Sequence, residues 1–359
     1  MNKLKFLSTL LAVALFAASG VYFSDHAAAQ DTNRERTANV GATATPTPTP
    51  TPTIDEDEPI KIETELVNLN VRVVDRSNRP INSLSQADFT VFEDNVAQQI
   101  EFFSRSEVPT NYSLVIDNSN SLRQQIEKVI EAGKILVNAN RPEDETSIIR
   151  FVSSTKIEVK QPFTTNKTYL NETLEDLYTE GGQTAIIDAV YLAAENVNDY
   201  EKSVGPNDRK RRALIVVSDG EDRDSYFKEE QLFALLKEID VQIYTIGFLE
   251  ELPKEGGFIR KSPYGRAKNL LTKLAEETGG RAYFPTSVNE LNDIAASISS
   301  EMRMQYSIGY APTNESNDGT FRNIRVVIKD GPNRERRIAV TRTGRYATPT
   351  GAAPTLQRN

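Results

Sequence analysis

From Leu66 onward the side chains alternate: Val67, Leu69, Val71 and Val73 are apolar, while Asn68, Asn70 and Arg72 are not. Period-two alternation predicts a strand with one buried face. The turn residues Ser77-Asn78-Arg79-Pro80 end it. Phe89-Thr90-Val91-Phe92, the turn Glu93-Asp94-Asn95 and a run through Ile100 and Phe102 predict a small β unit over residues 61–107. A different regime begins near Asn111. Short apolar runs (Ser113–Ile116, Ser147–Val152, Ala213–Val217, Val241–Ile246) alternate with helical periodicity at Leu122–Val137, Ala185–Val197, Glu229–Ile239, Lys268–Glu277 and Val288–Met302. Val- and Ile-rich strands interleaved with amphipathic helices predict an α/β fold with a mostly parallel sheet covered on both faces, over residues 108–305. Alternation returns at Tyr306, Ile308, Tyr310, then Ile324, Val326, Ile328, then Ile338 and Val340, a second β segment over 306–347. The α/β block is thus expected to be inserted in, or flanked by, a small all-β domain, followed by a loose tail over 348–359.

The first sixty residues follow neither pattern. Lys3 and Lys5 precede a run of apolar or small residues from Phe6 to Phe23, and Ala27-Ala28-Ala29 precede Gln30. This is the grammar of a cleaved secretory leader over residues 1–29, with an uncleaved anchor as the competing reading. Residues 30–60 read as a disordered tether, because Thr and Pro alternate from Thr45 to Thr53, which favours extended polyproline II. Asp55-Glu56-Asp57-Glu58 reads as a solvated charge run without calcium-loop spacing. The expected location is outside the cytoplasm: secreted, periplasmic or at the cell surface.

Composition narrows the chemistry. The chain has no Cys, a single His (His26, in the leader) and a net charge of −9. Thiol nucleophiles, disulfides, Cys- or His-bound zinc and a Ser-His-Asp triad are excluded from the mature chain. An acidic balance argues against nucleic acid or an anionic membrane as the main partner.

The residues that could carry chemistry sit where predicted strands end. Ser113–Ile116 runs into Asp117-Asn118-Ser119-Asn120-Ser121. Gly181-Gly182-Gln183-Thr184 precedes a helix, its glycines allowing a tight turn. Leu214–Val217 runs into Ser218-Asp219-Gly220. Open α/β sheets gather ligands at the carboxyl ends of their strands. Asp117, Ser119, Ser121, Thr184 and Asp219 offer only oxygen donors, the set preferred by hard cations such as Mg²⁺.

In this order and loop context, Asp117-x-Ser119-x-Ser121, Thr184 and Asp219 resemble the metal-ion-dependent adhesion site of von Willebrand factor type A domains, over roughly residues 110–305. The flanks Asp88-Phe89-Thr90-Val91-Phe92-Glu93-Asp94, Gly309-Tyr310 and Gly319-Thr320-Phe321-Arg322 resemble a bacterial group of secreted proteins related to that family. The resemblance implies a doubly wound sheet with one antiparallel edge strand. It also implies that Mg²⁺, with Mn²⁺ or Ca²⁺ as alternatives, is held by the first four residues directly or through water, and by Asp219 through water. The second loop departs from the pattern, reading Gly-Gly-Gln-Thr where many relatives have Gly-Gly-Thr. The expected function is non-catalytic, metal-dependent binding of a protein that presents an acidic residue, with the membrane reached only through an uncleaved anchor. A Mg²⁺-dependent hydrolase of phosphatase type and an oligomerising scaffold with an idle metal site are the alternatives. Asn118 and Asn120 stand where such a hydrolase would want a second acid.

Other features take plainer readings. Arg209-Lys210-Arg211-Arg212 is expected to solvate a loop, and the acids of residues 219–224 to be loop acids without EF-hand spacing. Ser153-Ser154-Thr155-Lys156 fits a Ser–Lys pairing but lies between strands rather than on a helix. Asp188 is expected to cap backbone N–H groups near its helix start.

Overall fold

The structure is a computed structural model that describes residues 66–347, apart from 78, 106, 204–209, 256–261, 288 and 333–334. The leader, the Thr/Pro tether, the acidic run at 55–58 and the tail lie outside the described residues. In chain order the elements begin with β1 (Val67–Val74), β2 (Phe89–Glu93), β3 (Val96–Gln98), β4 (Ile100–Ser104) and β5 (Thr110–Asp117). There follow α1 (Ile126–Asn138), β6 (Glu145–Ser153), β7 (Lys156–Thr164), α2 (Lys167–Glu175), α3 (Ile186–Ser203) and β8 (Arg211–Ser218). Next come α4 (Glu229–Glu238), β9 (Gln242–Gly247), α5 (Pro263–Glu277), β10 (Ala282–Tyr283) and α6 (Glu290–Arg303). The series closes with β11 (Tyr306–Tyr310), β12 (Phe321–Ile328), β13 (Ile338–Val340) and β14 (Gly344–Tyr346).

The central sheet has the order β10-β9-β8-β5-β6-β7. All its pairings are parallel except β6 with β7. Strand β5 is buried at every position because helices cover both faces. Its Leu114 and Ile116 pack with α1, α2 and α6 on one side, while Val115 packs with α3, α4 and α5 on the other. Each such aliphatic side chain, fully withdrawn from water, contributes about 1.5–3 kcal/mol. That double coverage explains the continuous apolar runs, which show no alternation. The sheet is therefore doubly wound and mostly parallel, with one antiparallel edge strand.

Strands from the two ends of the chain share two antiparallel sheets, β13-β1-β11-β4 and β14-β12-β2-β3. Val67 pairs with Tyr310, and Ile328 with Phe89. The two sheets close over a common core that includes Leu69, Val71, Val91, Tyr306, Ile308 and Ile324. Asp94 and Asn95, at φ 48° and 66°, make the tight β2–β3 hairpin, a pair of left-handed residues that Asp and Asn tolerate best.

The pattern misplaces some boundaries. α1 starts at Ile126 instead of Leu122, because Asn120–Leu122 forms a separate 3₁₀ turn. α5 starts at Pro263, five residues before the periodic stretch. Ser262 caps it by accepting from the Gly265 N–H at 3.1 Å, and Pro occupies the first turn, where no N–H is needed.

Candidate metal centre

In the central sheet the strand order reverses between β8 and β5. Helices leaving two neighbouring strands in opposite directions open a crevice at the strands' carboxyl ends. Asp117 ends β5, and Asp219 follows β8 directly. Both carboxylates are buried, Asp117 completely.

Asp117 is held from two sides. Its Oδ1 accepts from the Ser119 N–H at 2.9 Å, and its Oδ2 accepts from the Ser218 hydroxyl at 2.6 Å. The Ser119 hydroxyl is the hub of the hydroxyl cluster, 2.8 Å from the Ser121 hydroxyl and accepting from the Thr184 hydroxyl at 2.9 Å. Asp219 Oδ1 accepts from the Glu221 N–H at 3.0 Å, in a turn that Gly220 makes at φ 73°. Two separated loops thus bring Asp117, Ser119, Ser121 and Thr184 into one bonded group, and a third adds the Ser218 bond and places Asp219 close enough to act on Asp117 electrostatically.

That action is unfavourable. Burial pushes the Asp117 carboxyl up to about 7, and the charge of Asp219 adds to the shift against the bonds from Ser119 and Ser218. Two buried acids side by side call for a cation. Among the described residues, no three His, Asp or Glu side chains cluster to hold a metal. Here two carboxylates are supplemented by three hydroxyls, a donor set of hard oxygens that fits Mg²⁺. Ser121 is exposed, so the group opens to solvent on that side.

The loops are tied by residues outside the motif. Asn118 alternates with Asp117 and Ser119, so its side chain faces away, and its Nδ2 donates to the Tyr178 carbonyl at 3.0 Å. The Glu180 N–H donates to the Asn118 carbonyl at 2.8 Å, and Ser119 forms a parallel bridge with Glu180. The Glu180 carboxylate is itself held by Lys156 and Arg150, and the Lys156 bond above all lowers its pKa. The Thr184 carbonyl accepts from the Arg223 N–H at 2.8 Å and the Asp224 N–H at 3.2 Å. Alternation along the first loop is a signal that could have marked Asn118 as a brace. Nothing in the sequence marks Glu180.

Gly182 is needed for close approach rather than for turning. A Cβ there would stand 2.5 Å from Val152 Cγ1 and 3.0 Å from its carbonyl oxygen, whereas one at Gly181 would meet nothing within 4 Å. Gly182→Ala should therefore displace the Thr184 loop and weaken Mg²⁺ binding about tenfold, while Gly181→Ala changes it less than about twofold. Calorimetric titration of both variants checks the contrast.

Several side readings change. Arg211 does not solvate a loop. It is buried, and it donates to the carbonyls of Met302 (2.9 Å), Arg303 (2.6 Å) and Gln305 (2.9 Å), with burial pulling its pKa down to about 10. Lys210 is paired with Glu145, and Arg212 donates to Asn198. Asp188 accepts from the Tyr226 and Phe227 N–H groups, both at 2.8 Å, so it braces a distant loop instead of its own helix start. Asp222 performs that start-of-helix role, accepting from the Ile187 N–H at 3.3 Å. In the Ser-x-x-Lys stretch, Lys156 is held by Glu180, while the Ser153 hydroxyl lies 3.3 Å from that of Thr155.

The family model for the von Willebrand factor type A domain matches residues 113–297, just over half of the chain. An uncharacterized protein of Borreliella burgdorferi is 23% identical over 185 residues, 49% of this chain and 50% of that one, so this chain spans about half the length of the curated relative it matches. Solved structures with similarity include an aerotolerance-related membrane protein from Bacteroides fragilis (20% identical, 54% of this chain and 98% of that one, TM-score 0.40). A von Willebrand factor type A protein from Catenulispora acidiphila is 11% identical over 79% of this chain and 75% of its own, at TM-score 0.43. The vWF domain of the type V pili tip protein Mfa5 from Porphyromonas gingivalis is 12% identical over 55% and 97%, at TM-score 0.41.

Proposed function

From the premise that the chain belongs to the von Willebrand factor type A domain family, we propose that it is an extracytoplasmic binding module whose contact with a partner protein depends on a divalent metal. Asp117, Ser119, Ser121 and Thr184 would hold Mg²⁺, with Asp219 alongside. The observation that carries this reading is the Ser119 hydroxyl lying 2.8 Å from that of Ser121 and 2.9 Å from that of Thr184, beside two buried carboxylates, at the point where the strand order reverses.

Charge counting sets the mechanism. Three of the donors are neutral, so the protein does not over-neutralise a divalent ion. When bound, the ion supplies Lewis acidity toward an oxygen ligand arriving from the exposed Ser121 side, and a partner's Asp or Glu carboxylate is the anionic group that suits it. The chain's own residues orient that encounter. Asp117 is fixed by Ser119 and Ser218, and Thr184 by the backbone of Arg223 and Asp224. Exposed Tyr178 and Tyr226, on loops that carry the centre, offer rigid aromatic contact area of the kind enriched at protein interfaces. The same charge balance supports a role without catalysis, since Asn118, where a second acid would serve hydrolysis, is occupied with Tyr178. Mn²⁺ or Ca²⁺ would engage the same oxygens. The basic and apolar leader supports a location outside the cytoplasm.

The test is a pull-down from the native cell envelope with immobilised protein, in Mg²⁺ and in excess EDTA. Specific capture should disappear in EDTA and return on adding Mg²⁺. Capture that persists undiminished in EDTA would refute metal dependence.

A further inference from the structure

Beside Ser121 and Asp219 lies a cavity of about 280 Å³. It is lined by Gln125, which is 3% exposed and whose Oε1 has no hydrogen-bond partner among the described residues. Phe248, Leu252, Pro253 and Pro263 give it an apolar side, whereas Glu221 and Glu251 bring carboxylates. Arg223 also lines the cavity, but its guanidinium is paired with Glu221.

We propose, building on the metal-dependent reading above, that this cavity is a specificity pocket for a Lys or Arg side chain of the partner segment whose acid completes the metal shell. A Lys or Arg carries an apolar stem and a head that only donates hydrogen bonds. The stem matches Phe248, Leu252 and Pro253. The head matches an acceptor-rich wall in which the Gln125 oxygen lacks a donor, and a buried acceptor without a donor is costly to leave so. An apolar side chain would leave that oxygen unmet. An acidic one would face the carboxylates of Asp219, Glu221 and Glu251. Ser121 and Asp219 border both the cavity and the metal centre, so the partner's acid and base must lie close together. At about 3.3 Å per residue of extended chain, they stand within about three positions of each other.

The probes are synthetic peptides of one neutral frame with a single Glu, carrying Arg, Lys, Gln or Ala at each of the flanking positions. Binding to the full chain is read by fluorescence anisotropy in Mg²⁺ and in EDTA. The expected result is Mg²⁺-dependent binding in which Arg or Lys at one flanking position gains about tenfold over Ala and Gln. Glu251→Gln and Gln125→Leu should narrow that ratio toward unity. Glu251 is exposed, so its variant keeps the test decisive if Gln125→Leu does not fold. Mg²⁺-dependent binding that is indifferent to the basic residue overturns the pocket and leaves the metal reading standing. So does a basic preference that survives in the Glu251→Gln protein. A basic preference that ignores EDTA overturns the metal reading beneath the proposal.

Discussion

Asp117→Asn should lower Mg²⁺ affinity by at least about 100-fold, the upper end of what losing an outer partner of a metal ligand costs, while the protein in EDTA melts no lower than wild type. The second half of this expectation discriminates best. Asp117 is fully buried, and burial together with the charge of Asp219 pushes its carboxyl up to about 7. Removing one of two buried like charges relieves that repulsion, and Asn retains an oxygen to accept from the Ser119 N–H. In wild type, Mg²⁺ should raise the melting temperature through binding to the folded state alone. In the variant, Mg²⁺ should leave it where it was. Differential scanning calorimetry with and without Mg²⁺ reads both. A variant that melts several degrees lower in EDTA would mean that the Asp117 carboxylate serves the fold rather than an ion.

The largest effect on stability is expected at Arg211, at the opposite end of β8 from Asp219. Its guanidinium satisfies three carbonyls where α6 ends and the chain passes into β11. A cation at a helix C-terminus is favourable in itself. Truncation would add the larger cost of leaving buried carbonyls unmet, at about 1–3 kcal/mol for each group. Arg211→Ala should therefore destabilise the protein by about 3–5 kcal/mol, with Arg211→Lys recovering part of the loss. Urea unfolding of the three proteins measures this. A loss below about 1 kcal/mol for Arg211→Ala would show that water replaces the guanidinium at little cost.

Much of the central sheet was legible because burial on both faces leaves a plain mark: Leu114, Val115 and Ile116 must all be apolar when helices cover both sides. The edge escaped for the same reason. β7 faces solvent along much of its length, with Lys156, Glu158 and Lys160 among its residues, so it lacks the apolar run that announces its neighbours. α2 is short and mostly polar, burying only Leu170 and Leu174. At the candidate centre, Asp117, Ser119, Ser121 and Thr184 could be picked out because their residue types and strand-end positions are local properties. The braces could not. Glu180 matters through Arg150 and Lys156, and Asp188 through the N–H groups of Tyr226 and Phe227, pairings made across loops that only the fold brings together. Arg211 was misread for a related reason. In a run of four basic residues nothing local distinguishes the one that turns inward, and its partners lie 91 to 94 positions away.

The most direct measurement is a crystal of the protein soaked in Mn²⁺ and read by anomalous scattering. One peak should appear between β5 and β8, with oxygens of Asp117, Ser119 and Ser121 at about 2.0–2.3 Å and a water or carboxylate on the Ser121 side. Crystals that diffract well and show no peak among those side chains, at Mn²⁺ concentrations that label other sites on the molecule, would contradict the account.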